Sequence, residues 1–551
     1  MGPPSHRTPP LGGAFSRRFT RYSGFFFDEF APDSAWIREV GWAKLPPLSA
    51  VGEIVIRGEF RPHPSVRGIE SGPLGLTFSA DGATVGSLQG LKPGPWEVRF
   101  PVAAAEDRPG PVLGIRLTGV AFTNALAWLG RVSGLGLLQR FRGQSRNHQI
   151  RVRSIETGDG LKIYDFSKRE APYSVAFARR HTRVGMNIAG FLTADLGIGE
   201  SARCMVRAAD AAGIPTALIA LRLNCKNPRG DMTFASRLQE TNPFGVNVIH
   251  VDPPAARDID HHHGAAFRRG KYNIGYFAWE LPEFPDAWVG AFDSFDEIWC
   301  PSEFCGAAIA LKSPLPVLTM PHAISFERPR IERSLTRARF GLPPDDFIFL
   351  SLFDLNSYSA RKNPRGAIEA FRRSGLAGRG AALVIKVHNA AANPDDFATL
   401  QEAIRDLPSA ILLSDTLPRA EVYALEAACD SFVSLHRSEG FGLAVAECMH
   451  LGLPVIATDW SATAEYLNAQ NGCPVRCAPI VLDRHHGPYT QGSTWAEPDL
   501  DHAAEWMRRL VADRGLGSAL GEAAQHTIAE RFAPAVIGAR YRRRLESVTG
   551  F

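Results

Sequence analysis

From Arg183 onward, apolar runs of strand length alternate with amphipathic stretches. The runs are Val184 to Phe191, Ala217 to Leu221, Val246 to Val251, Tyr272 to Phe277, Glu297 to Cys300 and Val317 to Met320. Between the first two, Gly199 to Gly213 places Ala, Met and Val on one face at helical spacing. A charged connector rich in Arg and Pro follows, Ser325 to Asp346, and then a second series begins. Its strands are expected at Phe347 to Leu352, Ala382 to Val387, Ala410 to Leu413, Ser431 to Leu435 and Pro454 to Ala457. Helices near Pro364 to Arg373, Ala420 to Ala428, Leu443 to His450 and Ala462 to Asn468 separate them, and Asp501 to Glu546 is helical in pattern. Strands without a polar face, alternating with helices, predict parallel sheets covered on both sides.

The stretch before Arg183 reads differently. Glu53 to Gly58, Leu74 to Phe78, Trp96 to Phe100, Val112 to Leu117 and His148 to Ile155 are short alternating runs, separated by turn signals such as Ala80-Asp81-Gly82. Regular short strands of this kind predict a β-sandwich. The fold expected is therefore α/β, with two Rossmann-like doubly wound domains behind a β-sandwich. In residue numbers the division is a flexible tail over 1–21, the sandwich over 22–174, α/β domains over 183–324 and 347–515, and a helical tail over 516–551. A length of 551 residues agrees with about three domains.

Composition narrows the function classes. A net charge of +4 and no basic stripe interleaved with aromatics argue against a nucleic-acid partner. The eight cysteines lack paired zinc spacing and are too sparse for a disulfide framework, so they read as buried free thiols in a reducing compartment. The longest apolar stretch, Leu117 to Gly130, is bracketed by Arg116 and Arg131 and is too short to span a bilayer. The Pro-, Gly- and Arg-rich start has no apolar core of a secretory signal. A cytoplasmic location follows as the expectation. Ala121 to Gly136 reads as one inserted helix, followed by Arg140, Arg142, Arg146, Arg151 and Arg153. Two readings fit it: a packed helix with a solvated charged rim, or a peripheral contact with anionic lipid at the inner membrane.

The chemistry concentrates in Ser434 to Glu447. A strand ends, a turn with Gly440 and Gly442 follows, and a helix begins, with Glu439 and Glu447 flanking the turn. A helix N-terminus offers unpaired amides and a positive dipole end to anions, and glycines let a pyrophosphate approach the backbone. Carboxylates on both sides accept hydrogen bonds from hydroxyls. Phosphate beside hydroxyls describes a sugar nucleotide; solvated glutamates beside an ordinary turn fit the same pattern. Arg361-Lys362, ahead of Asn363-Pro364, put two cations at a strand end on the same rim, and Lys386 ends another strand there. Gly197 and Gly199 open the first α/β domain's helix and suit a loop facing the cleft better than a dinucleotide turn, since no acid for a ribose ends the next strand. Trp279-Glu280, at a strand end, pairs an aromatic plate with a carboxylate, as a sugar acceptor needs; a core Trp with a capping Glu is the other reading. His261-His262-His263 reads as a polar loop, because three adjacent histidines rarely converge on one ion.

These stretches, with Thr458-Asp459-Trp460-Ser461 and Thr494 to Asp499, resemble bacterial retaining glycosyltransferases of family 4, which share the GT-B fold. The resemblance runs from about Arg183 to the end and is most specific over Asp430 to Asp459. It implies transfer of a sugar from a nucleoside diphosphate to a hydroxyl of a glycan or lipid-linked glycan, in surface polysaccharide biosynthesis. It implies that Glu439 contacts the donor sugar, Glu447 the ribose, and Arg361 and Lys362 the diphosphate, with Ser438, Gly440, Phe441, Gly442 and Lys386 lining the donor side. Gly197, Gly199, Trp279 and Glu280 fall to the acceptor side. Protein cations then replace a metal, so neither a metal nor another cofactor is expected. Many relatives space Arg and Lys apart and carry Gly-Asn where this chain has Ala462-Thr463. A phosphorylase or epimerase on the same architecture, or a non-catalytic glycan-binding protein, are the alternatives.

Overall fold

The computed structural model describes residues 22–26, 34–45, 52–62, 74–102, 111–119, 148–168, 185–225, 227–269 and 271–549. The tail 1–21, the expected helix Ala121 to Gly136, and Arg140, Arg142 and Arg146 lie outside them.

The N-terminal unit is antiparallel. Its described strands are β1 (Tyr22–Phe26), β2 (Ala35–Lys44), β3 (Glu53–Pro62), β4 (Gly75–Ala80), β5 (Ala83–Gln89), β6 (Gly94–Pro101), β7 (Val112–Thr118), β8 (His148–Thr157) and β9 (Lys162–Asp165). They follow one hydrogen-bonded path, β5-β4-β7-β2-β8-β3-β6, with β1 on β2 and β9 on β8. Strand β2 pairs by its start with β8 and by its end with β7. Alternation sets the faces: Trp96 and Phe100 of β6 point into a core with Ile54, Ile56, Phe78 and Ile115. The outer face carries ion pairs such as Arg57–Glu97.

Two parallel sheets follow. The first comprises β10 (Met186–Gly190), β11 (Thr216–Ala220), β12 (Val246–His250), β13 (Tyr272–Tyr276), β14 (Glu297–Cys300) and β15 (Val317–Thr319), in the order β11-β10-β12-β13-β14-β15. Every residue of β10, β12, β13 and β14 is buried, so these strands are mostly apolar, and the polar residues they carry are paired inside: Asn187 donates to Asn247 at 2.9 Å and Asn247 to Asn273 at 2.8 Å. Its helices are α1 (Gly197–Ala211), α2 (Ile259–His263) and α3 (Glu303–Ala310). The second sheet comprises β16 (Phe347–Asp354), β17 (Ala381–His388), β18 (Ala410–Leu413), β19 (Ser431–Ser434), β20 (Val455–Thr458) and β21 (Cys473–Val475), in the order β18-β17-β16-β19-β20-β21. Its helices are α4 (Arg333–Arg339), α5 (Ser359–Lys362), α6 (Pro364–Ser374), α7 (Pro394–Ile404), α8 (Arg419–Ala428) and α9 (Leu443–Leu451). Strand order reverses between β16 and β19, and crevices at such reversals, beyond the carboxyl ends of the strands, are where ligands bind.

Several elements differ from expectation. The charged connector contains α4, the helix expected at Ala462 to Asn468 is a short 3-10 turn, Ser461–Glu465, and the histidine triplet lies in helix α2. A two-stranded ribbon, β22 (Cys477–Val481) with β23 (Thr494–Pro498), was not anticipated. Three helices close the chain: α10 (Leu500–Ala512), α11 (Arg514–Phe532) and α12 (Pro534–Thr549). The last is no free tail. Tyr541 stacks on Trp299 of β14 at 5.4 Å, and Arg544 pairs with Glu297. A Cβ on Gly538 would lie 2.1 Å from the Ala208 carbonyl oxygen, so glycine is what lets α12 lie against α1. The chain therefore passes between the lobes twice, after β15 and again at α12. The two passages touch, Ile324 N–H donating to the Phe532 carbonyl at 2.8 Å.

Candidate active site

The turn between β19 and α9 is pinned from several sides. Gly442 precedes α9 with φ of 85°, and a Cβ there would sit 2.7 Å from Thr463 Cγ2, so only glycine fits. Phe441 is buried against His322 at 4.8 Å, Tyr466 at 5.6 Å and Phe532 at 5.4 Å. The Tyr466 hydroxyl donates to the Phe441 carbonyl at 2.7 Å, and Ser461 Oγ accepts the Glu439 N–H at 2.9 Å. From the first lobe, Ser302 Oγ donates to the Gly440 carbonyl at 2.8 Å, and the Glu280 carbonyl accepts the Ser438 hydroxyl. This fixes the mouth of α9, whose first-turn amides have no acceptor within the helix.

The cations after β16 meet this turn. Asn363, left-handed at φ 51°, ends α5 and accepts the Gly366 N–H at 3.2 Å to start α6. Its amide also donates to the Leu435 carbonyl at 2.9 Å, which aligns α5 with the chain leaving β19. Lys362 Nζ then lies 2.5 Å from Glu439 Oε1, and Arg361 Nη1 lies 3.3 Å from Glu439 Oε2. Arg361 also donates to the Ser438 carbonyl at 2.9 Å and stands 3.8 Å from Glu280 of the opposite lobe. Burial works to raise the Glu439 pKa, but Lys362 and Arg361 outweigh it and hold the carboxyl down at about 2. Burial also lowers the Lys362 pKa, partly offset by Glu439.

Glu447, one turn along α9, belongs to a different cluster. Arg419, at the start of α8, bonds it. Arg419 also lies 3.9 Å from Glu200 of α1, which in turn pairs with Arg207 and, at 2.8 Å, with Arg203. Arg203 reaches Asp231 at 3.0 Å. Burial raises the Glu447 pKa against the pull of Arg419, and burial beside Glu447 raises that of Glu426, whose carboxyl has no partner. Glu439 and Glu447 thus stand on either side of the half-buried Leu443 and Ala444, each with its own cations.

Residues 332–527, spanning this second lobe, match a family model described as Glycosyl transferases group 1. The chain carries a group 1 glycosyltransferase domain. Solved structures share the fold. Anabaena Alr3699/HepE in complex with UDP-glucose has a TM-score of 0.50 and 13% identity, over 66% of this chain and 100% of that one. Sucrose-phosphate synthase (tll1590) from Thermosynechococcus elongatus has a TM-score of 0.50 and 13% identity, over 66% of this chain and 99% of that one. A glycosyltransferase from Rickettsia africae ESF-5 has a TM-score of 0.49 and 13% identity, over 66% of this chain and 97% of that one. At such identity the likeness to the first two is one of fold. Among curated proteins none matches.

Within this glycosyltransferase, not every expected residue reaches the turn. Lys386 donates to the Val387 carbonyl at 2.7 Å, and Asp415 is the charge that acts on it. Burial lowers its pKa to about 8. Gly197 opens α1 toward free space, whereas Gly199 is packed, a Cβ there lying 2.6 Å from the Phe191 carbonyl oxygen. Trp279 is 2% exposed and donates to the Glu283 carbonyl at 2.6 Å, so its ring is packed rather than open, while the neighbouring Glu280 faces Arg361. His263 accepts the Arg222 N–H at 3.0 Å and turns away from His261 and His262, which meet edge to face. Among the described residues no three His, Cys, Asp or Glu side chains group to hold a metal ion. Sequence reasoning missed Glu200, Arg419 and Tyr489. For Glu200 the one local signal was its spacing of three from Arg203 on a helix.

Proposed function

We propose that the protein is a retaining, family-4-type glycosyltransferase of GT-B architecture, moving a sugar from a nucleoside-diphosphate sugar to a hydroxyl of a glycan or lipid-linked glycan in surface polysaccharide biosynthesis. The observation that carries the reading is the meeting of Arg361, Lys362 and Glu439 at the β16/β19 reversal, beside the tip of α9 and facing Glu280 of the other lobe. Glu439, held at about 2, is ionised at neutral pH. It accepts hydrogen bonds from donor-sugar hydroxyls and gives no proton. Lys362, Arg361 and the amides of α9 stabilise the negative charge that grows on the departing diphosphate. That task needs no metal when two fixed cations and a helix tip perform it. Glu447 receives the ribose hydroxyls, with Arg419 giving way or sharing the carboxylate. The departing phosphate takes the acceptor proton on the face it leaves, so configuration is retained. Closure of the lobes excludes water.

The N-terminal unit reads as a sandwich whose layers are joined through β2, an accessory to the two α/β lobes. Among the described residues no helix is long and apolar enough to cross a membrane. We place the reaction in the cytoplasm, with a peripheral contact to the inner membrane where the acceptor is lipid-linked. The test is a screen of UDP-, GDP- and ADP-sugars for nucleoside diphosphate release with and without glycan acceptors, followed by NMR of the product anomer. Acceptor-dependent release with retained configuration is expected. No release from any donor, or turnover only with inorganic phosphate, overturns the reading.

A further inference from the structure

The ribbon β22–β23 springs from the second lobe and lies on the first. Its Leu482, Tyr489 and Trp495 share one apolar cluster with Phe277, Trp279 and Phe284 of the first lobe. Its other anchor is Arg437, just after β19. That guanidinium holds Glu497 by two bonds, 2.6 and 2.9 Å, and lies 5.6 Å from the Trp495 ring centre. The strands are joined by a loop tied to itself. Leu482 N–H donates to the Ser493 carbonyl at 2.8 Å, and His486 and Tyr489 exchange backbone bonds at 2.8 and 3.1 Å. Gly487 at the loop tip has φ of 59°, and a Cβ there would lie 2.1 Å from the Tyr358 ring.

This loop drives Tyr489 inward, where it is 3% exposed. Its ring centre lies 5.9 Å from the Arg361 guanidinium carbon, a cation–π contact, and 5.6 Å from the Trp279 ring. Its hydroxyl donates to Glu280 Oε2 at 3.1 Å. One side chain therefore touches a cation of the second lobe and a carboxylate of the first. The direct approach of Arg361 to Glu280 is looser, 3.8 Å, and Arg361 Nε is buried without a partner. The tyrosine is what joins the two groups closely.

We propose that Tyr489 is a positioning residue of the transfer reaction: it sets the spacing between Arg361 and Glu280, and the ribbon that carries it is a strap across the acceptor side of the cleft. This rests on the reading given under Proposed function. Glu280, held by the tyrosine hydroxyl, is oriented to receive the acceptor hydroxyl. The ring, laid on Arg361, keeps that guanidinium directed at the diphosphate.

Steady-state kinetics of the full chain test it, with a donor that the wild type turns over. Tyr489→Phe keeps the ring and the packing and removes only the bond to Glu280. We expect acceptor KM to rise about tenfold, with kcat and donor KM within about twofold, because one hydrogen bond to a charged group is lost. Glu280→Ala is expected to raise acceptor KM at least as far. The double variant is expected to be no worse than Glu280→Ala alone, since the tyrosine acts through that carboxylate. A merely structural role predicts additive losses and a shared fall in kcat. Wild-type acceptor KM in Tyr489→Phe, or additivity in the double variant, overturns the inference and leaves the proposed function standing. A wild type inert with every donor overturns the proposed function, and this inference with it, before any substitution is made.

Discussion

Replacing Lys362 by methionine tests the centre of the site through two independent readouts. The substitution removes the ammonium and keeps much of the side chain's apolar volume. Lys362 is 21% exposed and Glu439 10%, and their charged atoms are 2.5 Å apart. A carboxyl held at about 2 instead of its ordinary 4.5 contributes about 3 kcal/mol of stability at neutral pH. Two features reduce the loss. Arg361 stays 3.3 Å from the carboxylate, and the lysine no longer sacrifices hydration, a cost seen in its own lowered pKa. The expected destabilisation is about 1–2 kcal/mol, a fall in Tm of a few degrees for domains of this size. The pH dependence carries the sign. A depressed carboxyl stabilises fully above its unfolded pKa and loses that contribution as pH falls toward its folded one. The Tm gap between wild type and Lys362→Met is therefore full at pH 7 and shrinks below about 4.5. For activity, removing one fixed charge from the leaving-group side is expected to lower kcat by about 10²–10³. A Tm gap that does not change between pH 7 and pH 3.5 refutes the electrostatic account of the pair. A kcat within tenfold of wild type refutes its part in the reaction.

Other outcomes follow from the same geometry. Glu447→Gln is expected to raise the donor Kd about tenfold or more, measured calorimetrically with the nucleoside diphosphate, and an unchanged Kd removes Glu447 from the donor site. Gly442→Ala forces a Cβ to 2.7 Å from Thr463 Cγ2 at φ 85°, so a loss of about 1–3 kcal/mol and a displaced α9 tip are expected. Unaltered melting and turnover count against that tight turn. All eight cysteines are free, with Cys225 and Cys477 half-buried and the rest buried. Burial pushes the Cys204, Cys305 and Cys473 thiols up to about 12. A colorimetric thiol reagent is expected to react with at most those two half-buried residues in native buffer and with all eight in guanidinium chloride; more than two rapid reactions in native buffer contradict the burial.

What the sequence made legible depended on how far apart the cause lay. The parallel strands stood out because burial on both faces favours apolar residues, as along Phe347 to Leu350, buried throughout; the half-buried edge strand Ala410–Leu413 is also returned at its expected bounds. The start of α9 was visible because Gly442 interrupts an apolar run where a strand must become a helix. Helix α3 was overlooked although Ser302 caps it by accepting the Cys305 N–H, and α7 although Pro394 and two acids open it. The ribbon left no pattern, because Ala478 to Val481 are exposed without alternation. The ionic cluster of Arg419, Glu447 and Glu200 was invisible for a simpler reason. Charge pairing across lobes has no period along the chain, and only the folded arrangement brings α1 beside α8. Trp279 illustrates the reverse error: a residue type suited to sugar stacking is here taken up by packing against Trp288 and Phe284.

The bond between Ile324 and Phe532 has a mechanical consequence. Two strands of covalent chain that cross side by side act as a single pivot, so the lobes can swing about that line but are hindered from sliding or twisting past one another. Phe441 rests its ring on Phe532 of one crossing and on His322 beside the other. The loop that we propose meets the activated sugar thus sits at the fulcrum, where a large swing of the outer parts displaces it least. Its geometry is protected while the outer parts of the lobes travel most.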